Sequence, residues 1–251
     1  MKIKHLLCFI ALCLFFTPGK AQQLSVMTLR NGATVYIWED KSKPDVFGMI
    51  AFKVGSVDDP EQYTGLAHYL EHVMFKGTQT IDALDWEKEK PIYEKIIAKY
   101  DERAALSDPA AREAIDKEIN DLTREAAQYA AGNEFSLLVD HMGGQGLNAS
   151  TGYDQTEYHN SFPPSQLEKW LEIYSERLID PVFRGFQTEL EAVYEEYNMY
   201  NDDRGSRMRE FIYEQAFGDH PYARPIIGLP EHLKNPQLSK LIDFYNTWYG
   251  P

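Results

Sequence analysis

The pattern His68-x-x-Glu71-His72 is the part of this sequence whose residue types and spacing most directly indicate chemistry. In a helix, residues four apart lie on the same face, so both imidazoles would point the same way, one turn apart. One helix can supply two nitrogen ligands to a tetrahedral Zn²⁺ ion in this way. Glu71 would lie beside them, where it can contact a metal-bound water rather than the metal. Because a catalytic zinc takes three protein ligands and a water, the motif predicts a site that needs one more ligand.

A surface helix that carries a His/Glu cluster and binds no metal is the alternative. The chain has seven histidines, and a pattern this short arises in about 2 of 100 shuffles of such a composition. The motif by itself leaves both interpretations open. Cysteine chemistry is not expected, because the two cysteines of the chain, Cys8 and Cys13, both lie in the segment that we predict to be removed.

That segment is residues 1–21, which we predict to be a secretory signal peptide cut after Ala21. Lys2 and Lys4 precede an apolar run, Leu6 to Phe16, that is too short to span a bilayer comfortably. An uncleaved anchor is the alternative. We expect an exported product, periplasmic or extracellular, with no membrane association beyond export. The formal net charge of −14 makes nucleic acid and anionic membrane surfaces poor partners, since both are negatively charged.

Strands and helices must position the motif. Alternation typical of strands occurs in three segments, the first being a hairpin around Asn31-Gly32: 25–38, 46–54 and 147–161. Helical periodicity occurs in four segments outside the region discussed next: 64–76, 165–178, 188–201 and 207–217. In the second of these helices, a Ser165-x-x-Glu168 capping box is expected to begin the helix. Its buried side is expected to carry Leu167, Trp170, Leu171, Tyr174 and Leu178. Strands followed by helices favour an α+β fold.

Residues 82–133 differ in character, being rich in Glu, Lys and Ala. Two amphipathic stripes, one around Ile92 and Ile96 and one around Ile115 and Ile119, predict a helical hairpin. Ser107-Asp108-Pro109 should separate its helices, with Asp108 as N-cap and Pro109 at the first helical position. We expect this hairpin to project from the domain.

The inverted order of the motif is typical of one class of zinc peptidases, and the chain resembles the pitrilysin, insulin-degrading enzyme and mitochondrial processing peptidase family. The resemblance covers nearly all of the chain after residue 21. It rests on the context of the motif, Gly65 to Thr78, and on three further segments: Gly146 to Ala149, Phe183 to Glu196 and His220 to Tyr222. It implies an α+β domain with a mostly antiparallel sheet and helices packed on one face. The longer gap between His72 and Glu196 implies that 82–133 is an insertion.

The resemblance also implies roles for four residues outside the motif. The third ligand of the family is the second glutamate of an E-x-x-x-x-x-x-E pattern, which matches Glu196, and Glu189 becomes a carboxylate that supports a ligand. Seven residues make nearly two helical turns, so both would share a face. Asn148 and Ala149 match the edge strand whose backbone pairs with an extended substrate.

The implied activity is that of a zinc-dependent endopeptidase that hydrolyses peptides or small unfolded polypeptides, with Glu71 as general base. Residues 22–251 would form its N-terminal catalytic domain. The family has a second, similar half, so we expect a chain truncated after residue 251 or a partner subunit that supplies that half. The alternative is a non-catalytic zinc-binding or assembly half of a two-part peptidase.

Overall fold

The computed structural model describes residues 24–250, so the predicted signal peptide lies outside the described residues. The chain forms two compact units, and the boundary between them lies after residue 44. In the first, β1 (Leu24–Thr28) and β2 (Thr34–Trp38) form an antiparallel hairpin. Its turn includes Gly32 at φ +95°, a left-handed conformation that glycine adopts without strain. The hairpin predicted around Asn31-Gly32 is confirmed.

The second unit, residues 45–250, contains a three-stranded antiparallel sheet of order β3-β5-β4. Its strands are β3 (Val46–Phe52), β4 (Gln145–Thr151) and β5 (Thr156–Phe162). The predicted segment 147–161 is thus two strands, with a turn between them. Among residues 24–250, β4 has no strand on its outer side, and it is therefore an edge strand.

Helices make up most of this unit and follow the chain order α1 to α9. Their bounds are Leu66–Val73, Trp86–Ala105, Pro109–Ala126, Glu134–His141, Leu167–Ile179, Phe186–Asp202, Arg204–Phe217, Pro230–Leu233 and Leu238–Trp248. Trp170 of α5 stacks on Phe162 of β5 at a ring-centroid distance of 5.2 Å. On the opposite face of the sheet, Phe47 is 60% exposed. The fold is α+β with helices on one face of an antiparallel sheet, as predicted. Among residues 24–250, no helix has both the length and the apolar character needed to cross a bilayer.

The predicted helical hairpin consists of α2 and α3, and the Asp108 side chain accepts a hydrogen bond from Ala111 N at the start of α3. The prediction that it projects from the domain was wrong. Tyr100 of α2 packs edge-on against Phe186 of α6, with ring centroids 4.8 Å apart. Glu89, which is 2% exposed, binds Arg184 through two hydrogen bonds. The apolar stripe of α2 therefore packs against the domain as well as against α3.

The start of α5 also differs from the prediction. A 3₁₀ turn, Pro164–Gln166, precedes the helix, and no side chain caps its first amides. Leu167 and Leu171 are 44% and 52% exposed. Trp170 and Tyr174 are buried, as predicted, and Leu178 is half-buried. The prediction was therefore wrong only for the two leucines, which lie to one side of the face that packs against the sheet.

The start of α1 depends on a buried aspartate, and we expect Asp59→Ala to lower the free energy of unfolding by about 2 kcal/mol or more. The Asp59 carboxylate is 5% exposed and accepts hydrogen bonds from Gly65 N at 2.7 Å and Ala67 N at 2.9 Å. Alanine would leave both amides buried without an acceptor. Equilibrium unfolding in urea measures the effect. Asp108→Ala, which removes an exposed cap, is the matched control and should cost about 1 kcal/mol. Equal costs for the two variants would contradict the expectation.

Candidate metal centre

Helix α1 carries His68, Glu71 and His72 on the side opposite to its buried face. Leu70 and Val73 are fully buried beneath it. Gly65 precedes the helix at φ +88°, and a Cβ atom there would lie 2.6 Å from the Ile227 carbonyl oxygen, so glycine is required. The helix spans Leu66–Val73 and is shorter at both ends than the predicted 64–76.

The structure brings His68, His72 and Glu196 together. The Oε2 atom of Glu196, on α6, lies 3.6 Å from His68 Nε2 and 3.5 Å from His72 Nε2. One possible ligand atom from each residue lies within 4.8 Å of the others. With metal–ligand bonds of about 2.1 Å, neighbouring ligands in a tetrahedral zinc site are roughly 3.4 Å apart. The observed separations therefore fit a tetrahedral ion, and two imidazoles with one carboxylate are a donor set that zinc accepts.

The electrostatics of the site favour a bound cation. Burial, followed by the neighbouring charge of His72, lowers the pKa of His68 to about 4, so this ring is neutral at pH 7, as a metal ligand must be. Burial also lowers the pKa of His72, but its contacts with Glu189 and Glu196 outweigh that effect and raise the pKa to about 9. Carboxylates thus stabilise positive charge at the position where the three donors converge.

Glu189 contacts one of the three donors, His72, but is not one of them. Its Oε2 atom is 3.5 Å from His72 Nδ1, the nitrogen that faces away from Glu196, and its Oε1 atom is 2.5 Å from Lys76 Nζ. Burial raises the pKa of Glu189, but these two partners hold it below its usual value. Glu189 therefore contacts a histidine of the site rather than joining the set of three donors. Glu191 and Glu195, on other faces of α6, are exposed, as predicted.

Glu71 stands beside the three donors and does not belong to them. Its Oε2 atom accepts a hydrogen bond of 2.6 Å from Thr151 Oγ1 at the end of β4. Burial raises the pKa of Glu71, and the Thr151 hydrogen bond opposes that rise. This hydrogen bond from a residue of β4 restrains the orientation of the Glu71 carboxylate.

A cleft of about 570 Å³ opens over these groups. Asn148 and Ala149 line it from the edge strand β4, together with Thr151 and Tyr153. Ala149 and Thr151 are both half-buried and lie on one face of β4, while Asn148 points to the other. The structure therefore places the predicted strand residues in the same cleft as His68, Glu71 and His72.

Three residues near the site have no role in the sequence-based prediction. Lys76 follows His72 by four residues within the predicted helix 64–76, and Thr151 follows Ala149 by two in a predicted strand, so helical and strand periodicity could have indicated both. The observed helix α1, however, ends at Val73. Arg177 gave no such signal. It is 1% exposed, it donates from Nε to Met74 O, and its guanidinium lies 4.3 Å from the ring centroids of Phe75 and Tyr158. A buried arginine enclosed by aromatic rings is visible only in the folded chain.

A sequence model for the family described as "Insulinase (Peptidase family M16)" matches residues 34–90 and 121–229, which is more than half of the chain. The unmatched interval between them lies within α2 and α3.

Individual proteins show the same similarity. An uncharacterized zinc protease of Mycobacterium leprae is 26% identical over 200 residues, which are 79% of this chain and 34% of that protein. The zinc protease PqqE of Helicobacter pylori is 25% identical over 229 residues, or 90% of this chain and 40% of that protein. The crystal structure of the first half of the periplasmic protease PqqL from Escherichia coli has a TM-score of 0.65 at 22% identity, and the match covers 92% of this chain and 41% of that one. The chain thus spans well under half the length of these relatives.

Proposed function

The chain belongs to the insulinase family, peptidase family M16, and from that membership we propose that it is the zinc-binding catalytic half of a metalloendopeptidase. The single observation that supports this best is the convergence of His68, His72 and Glu196, whose donor atoms lie within 4.8 Å of one another. The proposed substrates are peptides or small unfolded polypeptides.

In this proposal, His68, His72 and Glu196 hold Zn²⁺, and Glu189 orients the ring of His72. Zinc in such a site acts as a Lewis acid, polarising a carbonyl and lowering the pKa of water. Glu71 accepts a proton from the attacking water at its carboxylate and returns it to the leaving amine. Its orientation by Thr151 leaves one oxygen, Oε1, available for that transfer.

Substrate is proposed to bind in an extended form along β4. An edge strand offers backbone N–H and C=O groups to another chain, and such pairing gives affinity with little sequence preference. Asn148 and Ala149 lie in that strand and line the cleft beside Glu71. Peptide backbone paired there would pass close to the proposed general base.

We expect Thr151→Val to lower kcat about tenfold and to leave KM and zinc content nearly unchanged. Valine keeps the shape and the strand propensity of threonine but cannot donate the 2.6 Å hydrogen bond to Glu71. The measurement is steady-state hydrolysis of a quenched fluorescent peptide, with metal analysis of the same sample. Thr151→Ser, which retains the hydroxyl, is the matched control and should keep most of the activity. A kcat for the valine variant equal to that of the parent would remove Thr151 from this role.

A non-catalytic zinc-binding or assembly half remains the second candidate. It needs the three donors but has no use for a carboxylate held beside them. The short hydrogen bond that orients Glu71 favours the catalytic proposal. Hydrolysis of a quenched peptide library by the full-length protein, with and without a chelator, tests the two. Chelator-sensitive hydrolysis supports the peptidase, and zinc binding without hydrolysis supports the other candidate.

We further propose that the protein is exported through residues 1–21 and that a second, similar half closes the active site. Support for export comes from the signal-like composition of that segment and from the similarity to a half of a periplasmic protease. Support for a second half comes from the relatives, which are more than twice as long as the matched region. The proposal that 82–133 is an insertion is supported by the family match for its central part, because the match omits 91–120 but includes 82–90 and 121–133.

A further inference from the structure

We propose that Lys76 is a positioning residue of the metal site, holding the Glu189 carboxylate against His72. The inference rests on the proposed function, because it takes His72 as a zinc ligand. The two oxygens of Glu189 have different partners: Oε1 lies 2.5 Å from Lys76 Nζ, and Oε2 lies 3.5 Å from His72 Nδ1. The ammonium group therefore determines which oxygen faces the histidine.

The backbone of Lys76 is fixed from two sides. Its N–H donates to the Val73 carbonyl at 3.1 Å, and its carbonyl accepts from Arg184 Nη1 at 3.3 Å. Arg184 is held in turn by Glu89, at 2.6 and 2.8 Å. The lysine side chain thus extends from an anchored point three residues after the end of α1.

Glu189 needs such a partner. A glutamate side chain has several rotatable bonds, and holding it in one conformation costs entropy unless contacts compensate. Glu189 has 15% of its side chain exposed, so water offers it little alternative solvation. A histidine ligand that donates its second N–H to a fixed carboxylate has a defined ring orientation and higher basicity. Without Lys76, the carboxylate is free to turn away from His72, and the ring loses that restraint.

The test is a double-mutant cycle on zinc affinity in the full-length protein, measured by competition with a chelating dye. We expect Lys76→Met to raise the Kd for Zn²⁺ about tenfold and Glu189→Gln to raise it by 10- to 100-fold, the range for groups that support a ligand. Because Lys76 acts through Glu189, Lys76→Met should have little further effect in the Glu189→Gln background. Lys76→Arg keeps the charge and should bind zinc within about threefold of the parent.

Lys90→Met, which removes an exposed lysine from α2, is the matched control and should leave zinc affinity unchanged. The unfolding midpoint of the metal-free protein should be the same for the parent and Lys76→Met, since the lysine is proposed to act on the site and not on the fold. Parental zinc affinity in Lys76→Met, or effects of the two substitutions that simply add, would overturn the inference. A parent protein that binds no zinc would instead refute the proposed function, so the two failures are distinguishable.

Discussion

Glu196→Gln is expected to weaken zinc binding by more than about 100-fold, whereas Glu195→Gln is expected to leave it unchanged. The two glutamates are neighbours on α6, but helical geometry separates their directions by 100°. The carboxylate of Glu196 lies 3.5 and 3.6 Å from the two histidine Nε2 atoms, while Glu195 is exposed on another face of the helix. A neutral amide is a poor ligand for zinc and leaves the two imidazoles with too few partners for a stable site.

Elemental analysis after dialysis against a weak chelator, followed by dye competition, gives the measurement. The neighbouring variant is a matched control, because it makes the same chemical change one residue away. His68→Ala should lose zinc as well, and His141→Ala, which changes an exposed histidine at the end of α4, should not. If Glu196→Gln keeps its zinc while Glu195→Gln loses it, the helix register proposed here is wrong.

Glu71→Gln is expected to keep zinc and to lose turnover by about 10²- to 10⁴-fold, the usual contribution of a positioned general base. Glutamine has nearly the shape of glutamate and can still accept the hydrogen bond from Thr151, so the cleft should not rearrange. It cannot accept the proton of the attacking water. The loss should therefore appear in kcat, with KM changing little.

Hydrolysis of a quenched peptide and metal content must be measured on the same preparation. Glu168→Gln, an exposed change on α5, is the control and should behave as the parent. Full activity in Glu71→Gln would exclude it as the general base, and loss of zinc would mean that Glu71 acts as a ligand. In combination with the Glu196 series, the experiment separates the metal-binding residues from the residue that moves the proton.

Local patterns predicted the elements well where the pattern and the tertiary contacts agree. The Asn31-Gly32 turn, the two strands that flank residues 152–155 and the Asp108 cap of α3 all depend on interactions within a few residues. The predictions were wrong where tertiary packing, rather than the local sequence, determines which side of a helix is buried. Leu167 and Leu171 were expected to be buried together with Trp170, but the sheet contacts the side of α5 that carries Trp170, and both leucines are exposed.

In the metal site, too, some residues follow from local sequence patterns and others depend on tertiary contacts. His68 and His72 could be paired from the sequence, because residues four apart on one helix necessarily share a face. Glu196 could be placed only with the help of a family resemblance, because it lies 124 positions after His72 and helical periodicity does not extend over that distance. Lys76 and Arg177 had no place in the sequence prediction.

By itself, the sequence indicated the strands and the helices α1 to α3 and α5 to α7, and it determined that two imidazoles and a carboxylate share one face of α1. These properties follow from the regular geometry of each element. The sequence did not indicate α4, α8 or α9. The tertiary structure decided the rest: which glutamate of α6 meets the histidines, that Thr151 of β4 orients Glu71, and that the α2–α3 hairpin packs against the domain. Such contacts depend on how separate elements pack together, and the packing is set by the shape and burial of many side chains at once.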